Sequence, residues 1–142
     1  MEKSPDPTEL NWNYTAKMDS LYAALDSIEQ ACNAWNIDAA LVSRARIVVE
    51  ELFSNTIKYG YGGPCDGAVR IRLSADPVLT LAYGDDAPLF DPTRWKAQEN
   101  EGVLPDQRPE GQAGIAMVIG LCATASYQAR DGHNCLTLTF AA

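Results

Sequence analysis

The chain is short of several things that would have settled its class at once. It has a single histidine, His133, in 142 residues. Its four cysteines, Cys32, Cys65, Cys122 and Cys135, form no C-x-x-C pair. A structural zinc site needs four Cys or His ligands at close, paired spacing, so that kind of metal site is excluded. The cysteines read instead as reduced thiols. Cys32 and Cys122 fall among apolar neighbours in helical patterns and read as core residues, the usual place of a free cysteine. Positive charge is also scarce: 11 Lys and Arg stand against 19 Asp and Glu, a formal charge of −8. Non-specific nucleic-acid binding rests on Lys and Arg meeting phosphates, and this balance argues against it. A small phosphate ligand stays open, because backbone N–H groups bind one without net basic charge. No apolar run approaches the roughly 18 residues of a membrane span. The opening "MEKSPDPTEL" lacks the basic-then-apolar pattern of an export signal. A cytoplasmic protein without membrane or nucleic-acid partners is expected.

What is present is an ordinary globular composition, 46% hydrophobic and 21% charged, on a length suited to one domain spanning residues 1–142. Residues 1–8 are polar, carry two prolines and are expected to be disordered. Leu10, Trp12 and Tyr14 alternate with polar residues, the period-two signature of a strand. Packing inside the core or a place on a dimer face would each explain the two aromatics. Leu21, Leu25, Ile28, Cys32 and Trp35 recur at helical spacing. Asp38 is a fitting N-cap for a second helix over about 39–59, with Leu41, Ala45, Val48, Val49 and Leu52 as its buried stripe. "YGYGGPCDG" then ends that helix. "AVRIRLS" and "PVLTLAYG" form a hairpin around Asp76-Pro77. Residues 85–113 show little periodicity, and a loop of that length in a compact domain is usually functional or mobile. "GIAMVIGLCATA" opens on glycine and reads as a short helix. "SYQAR" and "CLTLTF" are two last strands joined at "DGHN", which places His133 in a turn. The order β-α-α-β-β-loop-α-β-β predicts an α+β two-layer sandwich, with helices covering one face of a mostly antiparallel sheet.

Three stretches carry chemistry. In "VVEELFSNTIKYGYG" the carboxylate of Glu51 and the amide of Asn55 stand four apart, on one side of the helix, with Arg44, Ile47 and Lys58 along the same stripe. A carboxylate can take a proton from water or a hydroxyl. An amide oxygen is a hard neutral ligand, suited to Mg²⁺ that keeps most of its waters and its phosphate contacts. In "AYGDDAPLFDP" a strand delivers two carboxylates into a turn, where an aspartate facing a pocket can accept from an exocyclic amine. In "EGQAGIAMVIG" two glycines three apart lead into a helix, whose N-terminus offers unpaired N–H groups to a phosphate. Each stretch alone is also explained as a solvated helix face, an Asx-turn or a cap.

Taken together and in this order, the three resemble the GHKL superfamily of ATP-binding domains, and within it the small anti-sigma regulatory factors, the serine/threonine kinases of bacterial partner-switching systems. The resemblance runs over about residues 8–140. It implies Glu51 as the general base and Asn55 as the Mg²⁺ ligand, with Lys58 and Tyr59 near the nucleotide. It implies Asp85 as the adenine-binding aspartate, with Ala87 beside it where the family has glycine. "GQAG", Gly111 to Gly114, matches the glycine box at the hinge of an ATP lid over residues 93–113, expected to be mobile. Gln112 stands where the family often has a second glycine. Arg108 in that lid is a candidate γ-phosphate contact, and Thr137 a candidate residue behind the adenine. Tyr59 stands where the family usually has histidine. The implied ligands are ATP and Mg²⁺. The implied partners are a small phospho-acceptor protein, the anti-sigma-factor antagonist, with a sigma factor or a second copy as further possibilities. The competing expectations are a nucleotide-weak binding module that sequesters a sigma factor or antagonist, and a sensor or dimerisation domain without nucleotide.

Overall fold

A computed structural model of the protein describes residues 8–94 and 112–141. The expected disordered start, apart from Thr8, and most of the expected lid lie outside these residues. The described elements follow the predicted order. They are β1 (Glu9–Thr15), α1 (Met18–Ala34), α2 (Ala39–Asn55), a π-helical turn (Thr56–Gly60), β2 (Ala68–Ser74), β3 (Leu79–Asp85), a 3₁₀ turn (Pro92–Arg94), α3 (Gln112–Gly120), β4 (Thr124–Arg130) and β5 (His133–Phe140).

The five strands form one sheet in the order β1-β2-β3-β5-β4, and all four pairings are antiparallel. Period-two alternation turns one face of this sheet into the core. Val69, Ile71 and Leu73 of β2, Leu79, Leu81 and Tyr83 of β3, and Leu136, Leu138 and Phe140 of β5 are all buried. Register places like with like: Leu79 opposes Phe140, Leu81 opposes Leu138, and Tyr83 opposes Leu136. The buried stripe of α2, which includes Val48, Val49, Leu52 and Phe53, lies in the same core cluster as Leu21, Ile28 and Cys32 of α1. Each fully buried Leu, Ile or Phe contributes roughly 1.5–3 kcal/mol.

Trp12 and Tyr14 pack against this core. Tyr14 donates to Ser27 Oγ at 3.0 Å and meets the Phe53 ring edge-on at 6.2 Å. Their aromatic surface is therefore used within the chain.

Three boundaries differ from expectation. The second helix is α-helical only to Asn55 and then widens into the π turn, closed by Tyr61 N–H donating to Thr56 O at 2.8 Å. Such π segments are concentrated at functional sites. The last helix stops at Gly120, so Cys122 lies in the turn before β4, half-buried, with its thiol directed at Val118 O. Burial still pushes the thiols of Cys32 and Cys122 up to about 11. The final hairpin turns on Asp131 and Gly132, both at positive φ. His133 and Asn134 therefore belong to β5 and not to the turn. No helix among the described residues is long and apolar enough to cross a membrane.

Candidate active site

Strand phase brings the first functional group inward. Leu79, Leu81 and Tyr83 face the core, so Asp85, next in the same alternation, faces it too. It is 6% exposed, at the end of β3. Counting back from Phe140, Leu138 and Leu136 puts Asn134 on the same face of β5, and Asp85 and Asn134 are direct cross-strand partners. Asn134 Nδ2 donates to Asp85 Oδ1 at 2.8 Å and to Ala87 O at 3.1 Å. Its Oδ1 accepts from Phe90 N–H at 3.0 Å and from the Tyr127 hydroxyl. This residue escaped the sequence reading. The available signal was a polar side chain at the apolar phase of a strand.

The π turn supplies the other side of the carboxylate. The Thr56 hydroxyl donates to Asp85 Oδ2 at 2.8 Å. The Thr56 oxygen also stands 2.9 Å from Leu52 O and 2.6 Å from the Tyr83 hydroxyl, which itself lies 3.3 Å from Leu52 O. Burial raises the Tyr83 phenol well above its ordinary value, so it stays protonated and able to donate. Ala87 N–H donates to Asp85 Oδ1 at 3.2 Å. A carboxylate has about four acceptor positions. Three protein donors reach it, which leaves one position unfilled by the protein.

A cavity of about 290 Å³ opens beside this group. Its walls include Asn55, Thr56, Tyr59, Asp85, Ala87 and Asn134. Leu89 and Phe90 stand half-exposed at its lining, an apolar surface for a planar ligand. Asn55 closes the cavity on the α2 side. Its Nδ2 is shut off from solvent and has no hydrogen-bond partner. Leaving such a donor unmade costs roughly 1–3 kcal/mol. Glu51, one turn earlier on α2, is half-buried and borders Gly114 of α3.

The remaining expected residues divide. Tyr59 lines the cavity and is half-exposed. Ala87 is buried against Gly60, whose missing side chain makes the room: a Cβ there would stand 3.0 Å from that of Ala87. Lys58 is exposed and is not part of the cavity wall. Thr137 is a correction. It opposes Ala82 and Ser126 and is exposed on the open face of the sheet, while its neighbours Leu136 and Leu138 face the core. A strand sends adjacent side chains to opposite faces, so Thr137 cannot sit behind a ligand in this cavity, and Asn134 stands nearer to that role. Arg108 and Gly111 lie outside the described residues.

The second carboxylate of the pair, Asp86, leaves the cavity. Its oxygens meet Arg70 Nη2 at 2.6 Å and His133 Nδ1. The Arg70 guanidinium holds the Asp86 carboxyl below its ordinary value.

This arrangement has a counterpart in known proteins. Residues 14–140 match the histidine kinase-like ATPase domain. The chain belongs to that family. The resemblance drawn from its motifs is thereby borne out, and so is the α+β fold. The serine/threonine-protein kinase BtrW of Bordetella bronchiseptica is 27% identical over 140 residues, covering 98% of this chain and 95% of BtrW. In the crystal structure of the RsbU and RsbW domains of Rv1364c from Mycobacterium tuberculosis, the same fold recurs with a TM-score of 0.64 at 17% identity. That match covers 97% of this chain but only 33% of the longer one. Membership of an ATPase family implies ATP binding.

Mg²⁺ fits the donor set in one way. Among the described residues no group of three His, Cys, Asp or Glu can hold a metal ion. A cation here would rest on the Asn55 amide oxygen and otherwise on phosphate and water, the pattern Mg²⁺ favours.

Proposed function

We propose that the protein is an ATP-dependent serine/threonine kinase that phosphorylates a small antagonist protein in a partner-switching pathway, as an anti-sigma regulatory factor. The observation that carries this reading is one cavity lined both by Asp85, whose carboxylate is held by three protein donors, and by Asn55. One end is prepared for a base and the other for phosphates. The likeness to BtrW, a serine/threonine-protein kinase of nearly the same length, supports it.

Each residue then has a part. Asp85 accepts an N–H from the adenine, and Thr56, Asn134 and Ala87 N–H hold its oxygens in place. Tyr59 and Phe90 offer apolar surface to the base. Asn55 would hold Mg²⁺, which when bound neutralises charge on the phosphates. Glu51 accepts the proton of the partner's hydroxyl as that oxygen attacks phosphorus. Positioning and electrostatics carry most of the catalysis in such transfers, and a positioned base contributes about 10²–10⁴-fold. Gly111, Lys58 and Arg108 belong to the phosphate end in this reading. The protein is read as a single domain acting in the cytoplasm, with a sigma factor or a second copy as further partners.

Calorimetric titration with ATP and ADP, with and without Mg²⁺, tests the reading. Micromolar, Mg²⁺-dependent binding that is lost in Asn55→Ala is expected. No binding up to millimolar nucleotide would overturn it and leave a binding module that works by protein contact alone.

A further inference from the structure

Gly114 lies in the first turn of α3, and its φ is outside the left-handed region, so the backbone does not call for glycine there. Helix propensity disfavours glycine against alanine at such a position. Space supplies the reason. A Cβ on Gly114 would overlap Glu51 Oε2 and stand 3.2 Å from Glu51 Cδ. Gly120, in the same helix, differs: a Cβ there meets nothing within 4 Å. The backbone of α3 therefore bears directly on one specific carboxylate. Among the described residues no hydrogen bond or ion pair to that carboxylate competes with this contact.

We propose that Gly114 is a positioning residue for Glu51. By having no side chain it lets α3 close against the carboxylate, while α2 holds the stem, so that the oxygens keep one place. The inference rests on the phosphotransfer reading of Glu51 and extends it. The family resemblance turns this glycine toward phosphate; the geometry turns it toward the base. A general base has to stand within hydrogen-bond reach of the proton it takes. A displacement of about 1 Å can cost on the order of 10²-fold in rate. An added methyl at position 114 pushes aside the carboxylate at the flexible end of Glu51, away from the place it holds now.

Two measurements test this, and the first needs no catalysis. Urea unfolding without nucleotide is followed for Gly114→Ala in the wild type and in Glu51→Ala. In the wild type the gain from helix propensity is expected to be offset at least in part, because the methyl has to push the carboxylate aside. In Glu51→Ala the obstacle is gone, and the same substitution is expected to raise the midpoint through helix propensity. Equal shifts in the two backgrounds would overturn the proposal.

The second is the phosphotransfer rate beside ATP affinity. Gly114→Ala is expected to lower kcat by about 100-fold while the ATP dissociation constant stays within about threefold. In Glu51→Asp, whose carboxylate is withdrawn by one methylene, it is expected to cause no further loss. A variant that loses ATP affinity but keeps kcat would overturn the proposal in favour of the phosphate-facing role. An inactive wild type would sink the phosphotransfer reading, and the base-positioning role with it. The unfolding cycle would then still decide whether the steric contact exists.

Discussion

The two ends of the cavity are built on opposite principles. At the Asp85 end every polar group has a protein partner: Thr56, Asn134 and Ala87 N–H meet the carboxylate, and Phe90 N–H and Tyr127 meet Asn134. At the Asn55 end a buried amide nitrogen has none. The first end is finished without a ligand and is held by β3, β5 and the π turn at once. The second keeps a buried polar atom unpaired. A base-binding end has to be rigid to discriminate, because a buried network with all its bonds made resists rearrangement. Under the proposed function the Asn55 end takes in and releases a charged group, and fewer bonds within the protein there favour that. The difference teaches that stability and ligand binding are separated within one cavity.

The largest expected effect lies at the unfinished end. Asn55→Ala should weaken Mg·ATP binding by at least about 100-fold, equivalent to about 2.8 kcal/mol. Its unfolding free energy should stay within about 0.5 kcal/mol of wild type, since no hydrogen bond to its Nδ2 is lost. A calorimetric titration beside a urea melt reads both, and a large stability loss would break the comparison. Asn134→Ala should do the reverse first. It strips partners from Asp85, Ala87, Phe90 and Tyr127 and should cost roughly 2–3 kcal/mol of unfolding free energy, with ATP affinity falling as a consequence. Thr56→Val removes one hydroxyl from the same network and should cost roughly 1–2 kcal/mol, leaving Asp85 Oδ2 short of a bond while Tyr83 keeps Leu52 O as an acceptor.

The smallest effect is at Asp86, which stands outside the cavity. Its carboxyl is lowered chiefly by the hydrogen bond from Arg70. A depressed native value contributes stability above the unfolded-state value of about 3.9 and loses it as pH falls through the native value. Asp86→Asn should therefore flatten the acid limb of the stability profile below about pH 4. Because the side chain is 39% exposed, the change should be only a few tenths of a kcal/mol. Unfolding melts from pH 2 to 7 check it, and a steeper acid limb in the variant would contradict the assignment.

Legibility followed the range of the interaction. Glu51, Asn55 and Asp85 could be named because each sits in a local pattern: two residues one helical turn apart, and a carboxylate at a strand end. Asn134 was missed although its phase with Leu136, Leu138 and Phe140 was readable, because only its register opposite Asp85 gives that phase a meaning. Thr137 went wrong for a related reason. A strand alternates with period two, so a choice one residue away lands on the other face. The end of α2 was placed too late. Nothing in "NTIKYG" by itself says that the turn after Asn55 widens, and Thr56 takes its place there through bonds to Tyr83 and Asp85, far along the chain.

The sequence by itself determined the order of elements, the buried stripes of α1 and α2, the inward faces of the strands and the family of the chain. All of these rest on periodicity and motif spacing, which are local. Only the tertiary structure decided which groups meet. Sheet register joined Asp85 to Asn134 and excluded Thr137. The packing of α3 on α2 set Gly114 against Glu51. Tertiary packing left the Asn55 nitrogen buried and unpaired. Such contacts depend on how separate elements dock, and no local pattern encodes the distance between two side chains that lie tens of residues apart.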